Sequence, residues 1–114
     1  MVQLSVDIQE ACKALVTRIL EGRGTASRAR RRSAFDNTEV LEPVRTLIQK
    51  VALDAHEVSD DDIAAARKSG LSEDEIFELV VCAAIGQATR QHENALAALA
   101  AATGRDGDAP GDPR

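Results

Sequence analysis

Hydrophobic residues recur at three- and four-residue steps along most of this chain, which is the spacing of an amphipathic α-helix. The first such segment runs from about Val2 to Glu21. Gly22 and Gly24 follow it and end the predicted helix. Its apolar stripe consists of Leu4, Ile8, Ala11, Cys12, Leu15 and Ile19.

A second amphipathic helix is predicted after Asp36 or Thr38. A proline is tolerated in the first turn of a helix, so Pro43 indicates a regular helix that starts near Leu41. The apolar stripe then comprises Val40, Leu41, Val44, Leu47, Ile48, Val51, Ala52 and Ala55.

Capping boxes predict the starts of two further helices. Ser59 pairs with Asp62, and Ser72 pairs with Glu75, each at the spacing of a cap and the third helical position. Gly70 is a natural end for the first of these helices. The acidic run 60–62 is also compatible with a Ca²⁺ or Mg²⁺ site. However, the alternating oxygen ligands, glycine and closing Glu of a calcium loop are absent, which favours capping.

The last helix changes character along its length. Residues 76–85 are apolar almost all round and are therefore expected to be central and buried. After Gly86 the pattern becomes amphipathic until Gly104, and its alanine stripe indicates burial against another subunit. That stripe is Ala95, Ala98, Ala101 and Ala102. The pattern as a whole predicts an all-α fold of about four to five helices, in a helical oligomer.

Four regions follow from these patterns. They are an N-terminal helix over 1–22, an Arg-rich connector over 23–37, a helical core over 38–104 and a disordered tail over 105–114. The connector has no hydrophobic period and is expected to be exposed, with some helical content near 27–34. An alternative is that the connector is an arm that binds nucleic acid or another anionic partner. Its basic residues are Arg23, Arg28, Arg30, Arg31 and Arg32.

Composition narrows the possible classes of protein. The chain has 114 residues, one domain's worth, and two Phe but no Tyr or Trp, which disfavours an aromatic-filled β-sandwich. We expect a cytoplasmic protein without a membrane span, because no long apolar run and no signal-like start is present. The net charge of −5 opposes general nucleic-acid binding.

The two cysteines, Cys12 and Cys82, both lie in apolar helical patterns. In a cytosolic chain this predicts buried free thiols that act as small hydrophobes. A disulfide or a redox pair is the alternative.

The segments Val44–Ile48 and Ala64–Ile76 resemble the carboxymuconolactone decarboxylase and AhpD-like alkylhydroperoxidase family, over about residues 41–103. The resemblance implies an AhpD-like helical domain and a trimer or hexamer. The peroxidase branch carries Cys-x-x-Cys-x-x-x-His before the glycine that corresponds to Gly70, and these positions fall here at Ala55, Val58 and Asp62. Peroxidase chemistry needs a low-pKa thiolate and a resolving thiol, so we expect it to be lost.

Weak candidates for another chemistry are His56, Glu57, Cys82, Arg90, His92 and Glu93. A His–Glu pair could perform acid–base catalysis, as in the decarboxylase branch. Neighbouring helical residues point about 100° apart, so such a pair would have to meet across helices or subunits. Two histidines without supporting cysteines predict no zinc site, and no cofactor is expected.

Three functional hypotheses remain. The first is a non-redox AhpD-like homo-oligomer that binds a small molecule or protein, or serves in assembly. The second is a decarboxylase-like or other small-molecule enzyme that uses His, Glu and Arg groups. The third is a helix-turn-helix DNA binder over 60–69 and 73–85, which the acidic first turn of the second helix disfavours.

Overall fold

The structure, a computed structural model, describes the backbone of residues 2–103 and the side chains of residues 8–103. Over this range it is all-helical, which confirms the predicted fold class. The predicted tail 105–114 lies outside the described residues. None of the helices within 2–103 combines the length and apolarity needed to cross a membrane. The elements are α1 (Val2–Glu21), α2 (Arg28–Asp36), α3 (Val44–Leu53), a 3₁₀ turn (Ala55–Glu57), α4 (Asp60–Lys68) and α5 (Glu73–Thr103).

The first half of α5 is the centre of the molecule, as its apolar run predicts. The predicted burial of the whole run 76–85 is wrong at Phe77, which is 69% exposed, and at Ala84, because the other helices do not cover that side of α5. Helices α2 and α3 make the most extensive contacts with it, and α4 packs mainly on α3. Leu47 and Ile48 of α3 and Cys82 and Ala83 of α5 are fully buried between these helices. The remaining core side chains are Leu20, Ala26, Ala34, Phe35, Ala66, Leu71, Ile76 and Leu79.

Helix α2 differs from the exposed connector predicted for residues 23–37. Ser27 caps its N-terminus by accepting a hydrogen bond from the Arg30 backbone N–H, and Asn37 ends it with a φ of 55°. Arg31, Ala34 and Phe35 lie on one face of the helix and are buried. These three buried residues are enough for α2 to pack on α5. They are too few to produce a recognisable hydrophobic period in the sequence.

The predicted helix boundaries hold where local capping decides them. Both capping boxes form: Ser59 with Asp62, and Ser72 with Glu75. Gly70 has a φ of 110°, a conformation that favours glycine. Helix α3 instead begins at Val44, three residues after the predicted start, and Pro43 is its N-cap. Glu42 accepts hydrogen bonds from the N–H and hydroxyl of Thr46 in the first turn.

Two helical ends extend beyond this core and give the molecule a longest dimension of 59 Å. The N-terminal arm is residues 8–15 of α1, and the C-terminal arm is residues 91–103 of α5. Every side chain in both arms is exposed. Cys12, in the N-terminal arm, is therefore exposed, and the prediction that it is buried is wrong; Cys82 is buried as predicted.

Candidate functional site

His56 and Glu57 lie in the exposed 3₁₀ turn between α3 and α4. His56 Nδ1 is 3.1 Å from Asp54 Oδ1, and His56 Nε2 is 3.5 Å from Glu57 Oε2. The ligand atoms of the three residues lie within 4.8 Å of one another, a separation that a metal ion could bridge. However, the two carboxylates face opposite ring nitrogens of a solvent-exposed imidazole. This is the arrangement of an exposed polar cluster on the surface.

The positions that the AhpD-like resemblance assigns to a redox centre surround this turn. Ala55 and Val58 stand where the thiols would be, and Asp62 stands at the histidine position. The carboxylate oxygens of Asp62 lie 2.9 and 3.2 Å from the Lys50 ammonium and also accept a hydrogen bond from the Ser59 N–H. These hydrogen bonds hold the pKa of Asp62 below its usual value. Asp62 thus ties α3 to α4 and caps α4, which is a structural task.

Cys82 lies in the core, with its Sγ 3.8 Å from the Ile19 carbonyl oxygen of α1. Burial raises the pKa of the Cys82 thiol; the nearby Arg31 charge opposes this and the Glu78 charge adds to it. A buried thiol with a raised pKa remains protonated at neutral pH and is a poor nucleophile. Cys82 therefore serves packing between α1 and α5.

Arg90 joins α5 to the end of α2. Its Nη1 donates to the Phe35 carbonyl at 2.6 Å, and its Nη2 donates to Gln87 Oε1 at 2.9 Å. His92 and Glu93 are exposed in the C-terminal arm. Among the described side chains, no hydrogen bond or ion pair connects His56 or Glu57 with these three residues. The structure thus brings His56 and Glu57 together with Asp54. Within the described side chains it does not connect this pair with His92 and Glu93.

A buried polar cluster around Arg31 and Glu78 is a feature that the sequence reasoning missed. Arg31 is 5% exposed, and its Nη1 donates to the carbonyls of Ile19, at 3.1 Å, and Gly22, at 2.8 Å. Glu78 accepts from the backbone N–H groups of Thr25 and Ala26, both at 2.8 Å. The available signal was Glu78, the only charged residue between positions 76 and 89. Its partners lie more than 50 positions away in the chain, so no local pattern reveals them.

Both arms carry exposed leucine or isoleucine side chains. Leu96 and Leu99 are 42% and 60% exposed in the C-terminal arm, and Ile8 and Leu15 are 51% and 45% exposed in the N-terminal arm. Cys82, Ile85, Thr89, His92, Leu96 and Leu99 follow one another at alternating three- and four-residue steps. Leu96 therefore lies on the side of α5 that, at Cys82, contacts α1, and Leu99 lies next to Leu96, one turn further along the helix.

Searches of protein-family models, of curated proteins and of solved structures found no match to this chain.

Proposed function

We propose that this chain is a non-redox, AhpD-like helical protein that forms a homo-oligomer and acts as a binding or assembly subunit. The observation that carries the proposal is the C-terminal arm, where a regular apolar stripe lies exposed on a helix of 31 residues. A single soluble chain gains nothing from such a stripe, whereas a second copy can bury it.

The energetics of the arm favour helix-on-helix association. Full burial of one leucine side chain contributes about 1.5–3 kcal/mol, and each protomer offers Leu96 and Leu99. Ala95 and Ala102 lie one turn before and one turn after Leu99 on the same side of α5, and their small side chains leave room for the backbones of two helices to approach closely. A symmetric contact uses the same surface on both copies, so each added apolar residue counts twice.

The two cysteines support the non-redox part of the proposal. Both are free, and they occupy different environments: Cys12 is exposed on α1 and Cys82 is buried under it. The buried thiol has a raised pKa, and Ala55 and Val58 supply no thiol at the family's redox positions. A trimer or hexamer is the assembly that the AhpD-like resemblance favours.

The test is the mass of the protein in solution, measured by light scattering, for the natural sequence and a double variant, Leu96→Glu/Leu99→Glu. We expect an oligomer for the natural sequence and a monomer for the variant, because four carboxylates would oppose one another across each symmetric pair of arms. The matched control is Leu53→Glu/Phe77→Glu, which makes the same chemical change at residues that are 68% and 69% exposed elsewhere.

The control variant should keep the mass of the natural protein. A monomeric natural sequence, or dissociation caused by the control and not by the arm variant, would contradict the proposal. Thiol-dependent peroxide reduction is measured on the same sample and should be absent. Turnover that disappears in Cys82→Ser would overturn the non-redox part independently of the mass.

A further inference from the structure

A cavity of about 380 Å³ is lined by none of the candidate residues His56, Glu57, Cys82, Arg90, His92 and Glu93. It opens between α2, the loop 37–43 and the loop 69–72. Its floor is apolar and largely buried, and consists of Ala34, Val44, Ile48, Leu71 and Leu79. A volume of this size lies within the range of about 300–1,000 Å³ typical of small-molecule sites, which are mostly apolar with few polar groups.

One uncompensated cation lies at the rim of this cavity. Arg30 belongs to the lining, and within residues 8–103 its guanidinium makes no hydrogen bond or ion pair. Its neighbours on α2 differ: Arg28 faces Glu21 at 3.8 Å, Arg31 is buried, and Arg32 faces Asp36 at 3.2 Å. Arg30 is thus the α2 arginine whose donors remain available to a ligand.

Two serine hydroxyls stand beside Arg30 in the cavity wall. Ser33, one turn further along α2, is half-buried, and its hydroxyl has no hydrogen bond within the described residues. Ser69 donates its hydroxyl proton to the Ala66 carbonyl at 2.6 Å. A guanidinium with a free hydroxyl on the same helix face matches the paired oxygens of a carboxylate.

We propose that this cavity binds an amphipathic monocarboxylate, with its carboxylate on Arg30 and Ser33 and its apolar chain on the floor formed by Val44, Ile48, Leu71 and Leu79. The loop 37–43 forms another wall of the cavity and carries Glu39 and Glu42, so the proposed ligand has only one carboxylate. Glu39 lines that wall with no partner within the described residues, so a second anionic group there would meet a like charge. Glu42 contributes less repulsion, because Arg45 and Thr46 hold its carboxylate.

The test is calorimetric titration with decanoate at concentrations at which decanoate does not form micelles. We expect decanoate to bind more tightly than decanol, decylamine or the dicarboxylate decanedioate. Arg30→Met should weaken decanoate binding about tenfold, the effect expected for loss of a charge-assisted pair. The matched control, Arg32→Met, removes the same charge two positions along the same helix and should leave the affinity within about twofold.

Two further measurements locate the bound ligand. Ala29→Trp, an exposed position in the cavity wall, should fill the space and abolish binding, with the fold checked by circular dichroism. Amide chemical shifts should change at residues of α2 and the loop 69–72. Equal binding of decanoate and decanol, equal loss in both arginine variants, or shifts confined to the C-terminal arm would overturn the proposal.

Ligand binding in this cavity is expected to be independent of assembly, because no residue of the C-terminal arm lines it. Leu96→Glu/Leu99→Glu should bind decanoate as the natural sequence does, even as a monomer. Loss of decanoate binding in that variant alone, with Arg30→Met unaffected, would move the ligand to the arms and overturn the cavity assignment.

Discussion

The two halves of α5 both contain a majority of apolar residues, 9 of 11 over 76–86 and 8 of 13 over 91–103, but their surroundings are opposite. Residues 76–86 include the most buried side chains of the molecule, and residues 91–103 are exposed throughout. Both belong to one uninterrupted helix. Hydrophobic periodicity therefore indicates which face of a helix is apolar. Whether that face is buried within the chain depends on the other helices that pack against it.

The two halves meet near Gly86, where α2 packs closely on α5. A Cβ placed on Gly86 would clash with the Phe35 carbonyl group, so the backbones of the two helices are in direct contact there. Beyond it, Arg90 donates to the same carbonyl. From residue 91 to residue 103 every side chain of α5 is exposed, including those of Leu96 and Leu99.

The largest expected contrast is between two leucines on the same helix. Leu79→Ala removes a side chain that is 4% exposed, and we expect it to cost about 3 kcal/mol in the free energy of unfolding. Leu99→Ala should change that free energy by less than about 0.5 kcal/mol, because Leu99 is exposed in the single chain. Urea unfolding at a protein concentration low enough to give monomers measures both.

A cost for Leu99→Ala that persists in the monomer would show that the C-terminal arm packs on its own chain. That outcome would remove the distinction between the two halves of α5.

Gly86→Ala should cost about 2 kcal/mol or more, because α2 must move away from the new methyl group. In an open helix position the same change stabilises by about 0.5–1 kcal/mol, so the sign alone separates the two explanations. Thermal unfolding of Gly86→Ala, with the neighbouring exposed Ala84→Ser as control, measures it. A raised melting temperature for Gly86→Ala would contradict the close contact.

The sequence predicted what depends on local spacing. The capping boxes at Ser59 and Ser72 and the end of α4 before Gly70 follow from residues within a few positions of one another. The apolar run 76–85 likewise predicted a central helix, although Phe77 within it is 69% exposed. These features are decided by backbone groups of one helical turn, which a pattern in the chain represents directly.

The features that were missed depend on residues far apart in the chain. Cys12 and Cys82 have similar apolar neighbours in sequence, yet only Cys82 has a helix packed over it. Arg31 is one of five arginines within ten positions, and only the carbonyls of Ile19 and Gly22 distinguish it from the others. Likewise, the cavity beside Arg30 is formed by four separate segments, none of which carries a recognisable motif.

Arg31→Met should cost about 2 kcal/mol, because the carbonyls of Ile19 and Gly22 lose their buried donor while the aliphatic volume is retained. The loss should be local to α1. Hydrogen exchange should accelerate at the amides of residues 16–21 before those of residues 76–86. Arg30→Met, which removes an exposed arginine one position away, should leave exchange unchanged; equal effects of the two variants would contradict the anchoring role of Arg31.

The smallest effect is a pH dependence at Glu78. Partial burial acts to raise the pKa of Glu78, but the N–H donors of Thr25 and Ala26, together with the Arg31 charge, outweigh it and hold the pKa below the ordinary value of 4.5. A carboxyl whose pKa is lower in the folded state stabilises the fold above its unfolded pKa, and this stability is lost as the pH falls through the folded value. Glu78→Gln should therefore cost about 1 kcal/mol at pH near 7, a figure already reduced for solvent screening, and the difference from the natural sequence should disappear in strong acid. Urea unfolding across this range, with the exposed Glu93→Gln as control, measures the difference. A cost that stays constant as Glu78 protonates would mean that the shape of the side chain, and not its charge, holds the 22–26 loop against α5.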